Sequence, residues 1–84
     1  MMTDVFIGLG SNLKDPAAQL ARAVSALANL PETVLVAQSP FYASRPVGPQ
    51  DQPDFVNGAV WLRTSLLPHQ LLDELQNVEQ QHGR

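Results

Sequence analysis

The chain has 84 residues, a formal net charge of −3 and no cysteine. A chain of this length forms one domain, residues 1–84, and without cysteine it has neither a disulfide nor a thiolate metal site. The negative charge disfavours non-specific nucleic-acid binding, which depends on clustered Lys and Arg. Because no apolar run approaches the ~20 residues of a membrane span and no signal peptide is visible, we expect a cytoplasmic protein that binds no membrane.

The N-terminal segment predicts a strand followed by a tight turn. Val5–Leu9 is apolar at every position except Gly8, which is typical of a strand covered on both faces. Gly10, Ser11 and Asn12 would end this strand, the glycine through its backbone and the polar side chains through local hydrogen bonds. A phosphate-binding loop is the alternative interpretation, but neither a third glycine at position 13 nor a Gly-Lys-Ser/Thr run follows.

A helix and a second strand come next. Asp15 is a favoured N-cap and Pro16 a favoured first helical residue. Pro31 ends the helix because proline cannot continue the hydrogen-bond ladder. Thr33–Gln38 is β-branched and apolar, which predicts a strand that runs on irregularly toward Tyr42. The apolar stripe of the helix consists of Ala17, Leu20, Ala21, Val24, Leu27 and Ala28.

The run from Phe41 to Asn57 combines three prolines with glycine, amides and carboxylates. Proline fixes φ and removes a backbone donor, so we predict a stiffened loop here and neither helix nor central strand. Aromatic residues near both ends, together with the amide of Asn57, suit the binding of a flat polar ligand. The residue types alone nevertheless favour a plain connecting loop over a binding site.

The rest of the chain predicts a strand and a helix. Asn57–Thr64 would place Val60 and Leu62 on one face, and Pro68 would begin a helix with Gly83 as its C′ residue. The order β-α-β-β-α predicts an α+β, ferredoxin-like sheet with helices on one face, incomplete because its last strand is missing. We therefore expect either a truncated piece of a longer enzyme or a chain that pairs with a second copy. The helix stripe consists of Leu71, Leu72, Leu75 and Val78.

The titratable and amide side chains of the second helix carry no clear chemistry by themselves. Gln76 and Glu79 lie three residues apart and face the same way, which their residue types alone assign to a solvated helix face. His69 and His82 are the only histidines, they lie thirteen residues apart, and no third histidine or cysteine accompanies them. We predict no metal site from these residues.

Two segments resemble one enzyme family. Residues 47–57, VGPQDQPDFVN, resemble the pterin-binding loop of 6-hydroxymethyl-7,8-dihydropterin pyrophosphokinases, which act in folate biosynthesis. A first strand ending in Gly-Ser-Asn, as at residues 10–12, is a second hallmark of that family. The resemblance covers essentially the whole chain, which corresponds to about the first half of a typical member. It implies transfer of the β,γ-pyrophosphoryl group of ATP to the hydroxymethyl oxygen of the dihydropterin.

The resemblance also implies roles for single residues in pterin binding. Phe55 would stack on the pterin ring, and Asn57 would read its polar groups through the side-chain amide. Backbone groups facing the pterin edge would come from Ser44, Arg45 and Val47. Phe55 stands where a tyrosine is common in the family, and Ser44-Arg45 stands where Thr-Pro is common, which makes the loop less rigid.

Further implied roles concern ATP and its metal ions. Gln76 and Glu79 would lie close to the nucleotide, and residues 10–12 would lie near the active centre. Arg84 would open a mobile catalytic loop, since a guanidinium donates two hydrogen bonds to a phosphate. The resemblance implies two Mg²⁺ ions, held by an Asp-x-Asp pair expected beyond residue 84. We therefore expect the 84-residue chain alone to be inactive.

The expected partners are small molecules, dihydropterin and ATP, with no nucleic acid. The intact enzyme would be a monomer, whereas self-association is open to the 84-residue chain. One alternative function stays beside the enzyme interpretation, a small α+β binding module that acts as a strand-exchanged dimer.

Overall fold

The computed structural model describes residues 1–45 and 53–81 and shows, within them, an antiparallel four-stranded sheet with two helices. The elements are β1 (Thr3–Ser11), α1 (Pro16–Ala28), β2 (Thr33–Gln38), β3 (Tyr42–Ser44), β4 (Phe55–Thr64) and α2 (Pro68–Gln81). β4 is central, with β1 along one side and β2 and then β3 along the other. This arrangement confirms the predicted α+β, incomplete ferredoxin-like fold and adds one short strand to it.

The core lies between the two helices and the face of the sheet that carries Val60 and Leu62. These two side chains are 2% and 0% exposed, which confirms their predicted placement on one face. The same cluster contains Ala23, Val24, Leu27, Leu30, Leu71 and Val78. The predicted stripes were wrong at Ala17, Ala21 and Leu72, which are exposed. The buried side of α1 follows residues 20, 23, 24 and 27, and that of α2 follows residues 71, 75 and 78.

β1 has one covered face within the described residues, so the prediction of two covered faces was wrong. Val5 and Ile7 pack against the core. Phe6 lies between them on the other face, is 73% exposed and stacks on Trp61, with ring centroids 5.6 Å apart. The face that carries Phe6 and Trp61, here called the open face, has no described helix on it because α1 and α2 pack together on the opposite side.

The ends of two strands differ from the predicted ones. β1 continues through Gly10 and Ser11, which pair with Asn57 and Val56 on β4, so the predicted turn begins later. β4 begins at Phe55, two residues earlier than predicted. Sequence propensity underestimates both strands because pairing with neighbouring strands, and not the residue types, extends them.

The start of α1 also differs in detail. Pro16 is the first helical residue, as predicted, but the Asp15 side chain makes no capping hydrogen bond. Asp15 adopts a left-handed backbone, with φ 52° and ψ 58°, whereas side-chain capping normally accompanies an extended backbone at this position. Its carbonyl oxygen accepts the N–H of Gln19 at 3.0 Å. The predicted N-cap role was therefore wrong for the carboxylate.

The predicted run-on after β2 takes the form of a separate strand, β3. Between β2 and β3, Ser39 stays joined to β4: its N–H donates to the Ala59 carbonyl at 2.9 Å, and the Ala59 N–H donates to its Oγ at 2.9 Å. Phe41 packs over Gly58, where a Cβ would stand 2.9 Å from the Phe41 ring. β2 and β3 thus form one interrupted edge, which brings Ser44 to the start of β4.

Candidate functional site

The side chain of Asn57 bridges two strands at one end of the sheet. Asn57 lies on β4 between Gly10 of β1 and Tyr42 of β3. Its Nδ2 donates to Ser44 Oγ at 2.7 Å. Its Oδ1 lies over Gly10, 3.1 Å from the position that a Cβ would take there. The amide is therefore held between a hydroxyl on one neighbouring strand and a glycine on the other.

Phe55 lies beside this amide. It precedes Asn57 by two residues on β4, so both side chains lie on the open face. Phe55 pairs with Ser44 on β3 and is half-buried. An aromatic ring, an amide and a hydroxyl therefore lie together at the end of the sheet. Arg45 follows directly and is exposed, while Val47 lies outside the described residues.

The three residues predicted as a turn are divided between the two faces of the sheet. Gly10 faces the Asn57 amide, whereas Ser11 faces the helices and is 7% exposed. Ser11 Oγ accepts the N–H of Leu13 at 3.2 Å, which confirms the local hydrogen bonding predicted for this segment. Asn12 follows the strand and is half-buried.

A cavity of about 170 Å³ lies between the end of β1 and the two helices. Its polar lining comes from Ser11, Gln19 and Glu79, and aliphatic side chains of β1, α1 and α2 line the rest. Glu79 thus lies at the same end of the sheet as Asn57 but on the helix side. Gln76 lies one turn earlier on α2 and is exposed.

Metal-binding residues are not grouped in this part of the molecule. Within residues 1–45 and 53–81, no three His, Cys, Asp or Glu side chains lie close enough together to hold a metal ion. The described residues therefore do not fit the Mg²⁺ site that the family resemblance implies. Arg84, the predicted phosphate ligand, lies outside the described residues.

Within residues 1–45 and 53–81, neither helix has the length and apolar character needed to cross a lipid bilayer.

The opposite end of the open face carries an ion pair. Arg63 Nε and Trp61 Nε1 both donate to Asp4 Oδ1, at 2.9 and 3.1 Å. These hydrogen bonds, first from Arg63 and then from Trp61, hold the pKa of Asp4 below its ordinary value. Gly10 lies six positions after Asp4 on β1, about 20 Å along the strand. The pair therefore lies well away from the Asn57 amide.

Sequence reasoning missed two features of this site. It gave Ser44 a role through its backbone alone, whereas the Ser44 hydroxyl contacts Asn57. It also did not single out Gln19 on the cavity wall. Both features depend on which residues face each other across the sheet and the helices, and no periodicity in the sequence signals that.

Comparison with known proteins agrees with the resemblance in the sequence. The profile of the 7,8-dihydro-6-hydroxymethylpterin-pyrophosphokinase (HPPK) family matches residues 6–84. A relative from Pseudomonas aeruginosa, named 2-amino-4-hydroxy-6-hydroxymethyldihydropteridine pyrophosphokinase, is 52% identical over 84 residues, which cover 100% of this chain and 52% of the relative. Relatives with the same name from Haemophilus influenzae and Pseudomonas putida are 51% and 43% identical over 83 residues, covering 52% and 68% of their lengths.

The chain therefore belongs to the HPPK family, since the profile match takes in nearly all of its residues. It spans about half the length of the Haemophilus influenzae and Pseudomonas aeruginosa relatives. The regions aligned with these relatives cover 99% and 100% of this chain, so they take in the segments that carry the Asn57 site and α2.

Proposed function

We propose that this chain forms the pterin-binding part of a 6-hydroxymethyl-7,8-dihydropterin pyrophosphokinase. The whole enzyme would transfer pyrophosphate from ATP to the hydroxymethyl group of the dihydropterin in folate biosynthesis. The observation that carries the proposal is the Asn57 amide, held beside Ser44 and Phe55 at one end of the open face. Phe55 offers a flat apolar surface to a ring, and Asn57 offers both a donor and an acceptor to its edge.

The other pterin contacts are proposed to come from backbone groups. Ser44, Arg45 and Val47 would face the edge of the pterin with their N–H and carbonyl groups, which a change of side chain does not remove. The adjacency of Ser44 and Phe55 across β3 and β4 supports this role, because it puts the backbone of β3 beside the proposed stacking ring. Residues 10–12 would border the same centre, Gly10 by leaving space for the amide.

The proposed ATP-facing residues lie on α2 and beyond it. Glu79 is supported by its position on the wall of a cavity at the same end of the sheet as Asn57. Gln76 would act beside it, and Arg84 would bind phosphate oxygens through its guanidinium. The whole enzyme would use two Mg²⁺ ions, whose ligands we place outside the described residues.

The described residues would contribute orientation. In the transfer, a bond would form between the hydroxymethyl oxygen and the β-phosphorus of ATP while the bond from that phosphorus to the α,β-bridging oxygen breaks. AMP would leave, and the proton of the hydroxyl group would be released. Such a reaction requires the attacking and leaving oxygens to be roughly in line. A ring held on one face by Phe55 and on one edge by Asn57 has a fixed orientation, which lowers the entropic part of the barrier.

Binding of dihydropterin tests the proposal. Titration followed by pterin fluorescence should show saturable binding to the chain, and Asn57→Ala and Phe55→Ala should each weaken it at least about tenfold. Phe55→Tyr keeps the ring and should bind within about threefold of the natural chain. Val34→Ala, at the far end of the open face opposite Arg63, is the control and should bind normally. Absence of binding by the natural chain would refute the proposed site.

Catalysis is proposed to belong to the whole protein. We expect the 84-residue chain to bind dihydropterin but to transfer no pyrophosphate when ATP and Mg²⁺ are added. Turnover by a contaminant-free sample would contradict this expectation. We propose that the whole enzyme is cytoplasmic and monomeric, with small-molecule substrates and neither nucleic-acid nor membrane partners.

A second candidate function is favoured by the edge of the sheet. β1 pairs with β4 on one side, and among the described residues no strand pairs with its other side. Such an edge, beside the exposed Phe6 ring, suits pairing with a second copy of the chain. A melting temperature that rises with protein concentration, together with no affinity for dihydropterin, would favour this dimeric binding module.

A further inference from the structure

We propose that the Ser44 hydroxyl is a positioning group that fixes the orientation of the Asn57 amide, and thereby selects the heterocycle edge that the site accepts. This inference rests on the proposed function, and it goes beyond the backbone role given to Ser44 there. Its basis is the hydrogen bond of 2.7 Å from Asn57 Nδ2 to Ser44 Oγ. The contacting atoms lie on adjacent strands, β4 and β3, whose pairing sets their distance.

An asparagine amide needs such a partner in order to hydrogen-bond a ligand in one fixed orientation. Its two ends are similar in shape but opposite in hydrogen bonding, since one is an NH₂ donor and the other a carbonyl acceptor. Rotation by 180° about the terminal torsion, which is broad for asparagine, exchanges them. An amide without fixed neighbours would therefore present either order of donor and acceptor to a ligand.

The two neighbours of Asn57 distinguish these orientations. Ser44 Oγ accepts from Nδ2 on the β3 side, and because a hydroxyl can also donate, this bond holds the amide in place while the β1 side favours one end of it over the other. On the β1 side, a Gly10 Cβ would stand 3.1 Å from Asn57 Oδ1, and one Cα hydrogen of Gly10 takes the direction of that Cβ. A Cα–H group makes a weak favourable contact with a carbonyl oxygen. Nitrogen toward β3 and oxygen toward β1 is thus the favoured orientation.

This orientation defines the chemistry of the ligand edge. One Nδ2 hydrogen is donated to Ser44, and the amide has a second hydrogen and the Oδ1 lone pairs besides. The edge that fits carries an acceptor on the β3 side and a donor on the β1 side. Turning a fused heterocycle over exchanges the donor and the acceptor on its amidine-like or amide-like edge. By holding the amide in one orientation, Ser44 therefore determines which of the two ring orientations the site accepts.

Two variants of Ser44 test this role by ligand binding. Ser44→Ala removes the acceptor and should weaken dihydropterin binding about fivefold. Ser44→Thr keeps the hydroxyl and should bind within about twofold of the natural chain. In an Asn57→Ala background, Ser44→Ala should cause no further loss, because the positioning group has nothing left to position. An equal loss in both backgrounds would overturn the proposal.

The amide itself gives a second readout that does not depend on the ligand. In ¹⁵N-resolved NMR spectra of the free chain, Ser44→Ala should shift the Asn57 side-chain NH₂ signals and speed their exchange with water, and Ser44→Thr should preserve them. Ser39→Ala removes another hydroxyl of the same edge, which bonds to the Ala59 N–H, and should leave these signals unchanged. If the natural chain does not bind dihydropterin, the proposed function fails, yet the NH₂ signals still decide the role of Ser44. Unchanged NH₂ signals in Ser44→Ala would overturn it.

Discussion

Gly10 and Asn57 face each other across β1 and β4 so closely that a side chain at position 10 would meet the Asn57 amide. A Cβ there would stand 3.1 Å from Asn57 Oδ1 and 3.9 Å from the Val56 carbonyl oxygen. Gly8 lies two residues earlier on the same face of β1, and a Cβ there would have no atom within 4 Å among residues 1–45 and 53–81, its chain neighbours aside. The two glycines therefore form a matched pair, since they share a strand and a face but differ in what they contact.

Replacing Gly10 by alanine should weaken dihydropterin binding about tenfold, because the methyl group moves the amide out of the position held by Ser44. Gly8→Ala is the matched control and should leave binding within about twofold. It should also raise the free energy of unfolding by about 0.5 kcal/mol, since alanine loses less conformational freedom on folding than glycine. Fluorescence titration and urea unfolding measure these effects, and equal binding losses in both variants would contradict the packing argument.

The sequence predicted the order of the elements and much of the core, but it could not predict the faces of the site. Val60 and Leu62 were identified because strand alternation has a fixed period of two. Gly10, Ser11 and Asn12 were grouped as one turn because glycine and polar residues disfavour strands. The pairing with β4 overrides that preference and sends Gly10 and Ser11 to opposite faces.

The contacts of Gly58 predict a loss of stability on substitution. Its Cβ position is 2.9 Å from Phe41 Cδ1 and 3.2 Å from Cε1, so Gly58→Ala forces the half-buried Phe41 ring away from the core. We expect the free energy of unfolding to fall by about 1–3 kcal/mol, as for overpacked cores. Urea unfolding measures it, with Gly8→Ala as the glycine-to-alanine control. The double variant Gly58→Ala/Phe41→Leu should recover part of the loss, and stability unchanged in Gly58→Ala would refute the tight contact.

Thr64 predicts a second loss, from hydrogen bonding. The side chain is 1% exposed, and its Oγ1 accepts the Leu66 N–H at 3.0 Å and lies 2.8 Å from Thr33 Oγ1. Thr64→Val has nearly the same shape but leaves the Leu66 N–H without this acceptor. It should therefore lower the free energy of unfolding by about 1–3 kcal/mol.

The control for Thr64 is its partner. Thr33→Val removes the other hydroxyl of the pair, which is only half-buried, so water can replace much of what is lost and the effect should stay below about 1 kcal/mol. Urea unfolding should show a lower midpoint with an unchanged slope in both variants. A larger loss in Thr33→Val than in Thr64→Val would show that the buried hydroxyl is not the important one.

The open face shows a further limit of sequence reasoning. Val5–Leu9 reads as a strand buried on both sides, yet Phe6 is 73% exposed because both described helices pack on the face of Val5 and Ile7. An apolar run predicts that its side chains are buried, but it does not predict which helix or strand covers them. In the same way, the pairing of Asp4 with Arg63 depends on the register of β1 and β4, which no local pattern determines.

That pairing predicts a pH dependence at the far end of the open face. The hydrogen bonds from Arg63 and then Trp61 lower the pKa of Asp4, so Asp4 stabilises the fold fully above its unfolded pKa of about 3.9. This contribution is lost as the pH falls through the still lower folded pKa. The contribution should be small, because both side chains of the ion pair are about half exposed, at 47% and 48%, and solvent screens them.

NMR titration of the Asp4 carboxyl carbon should give a pKa below 3.9, and Arg63→Gln should raise this pKa more than Trp61→Phe. An Asp4 pKa unchanged by Arg63→Gln would show that the guanidinium does not hold the carboxylate in solution.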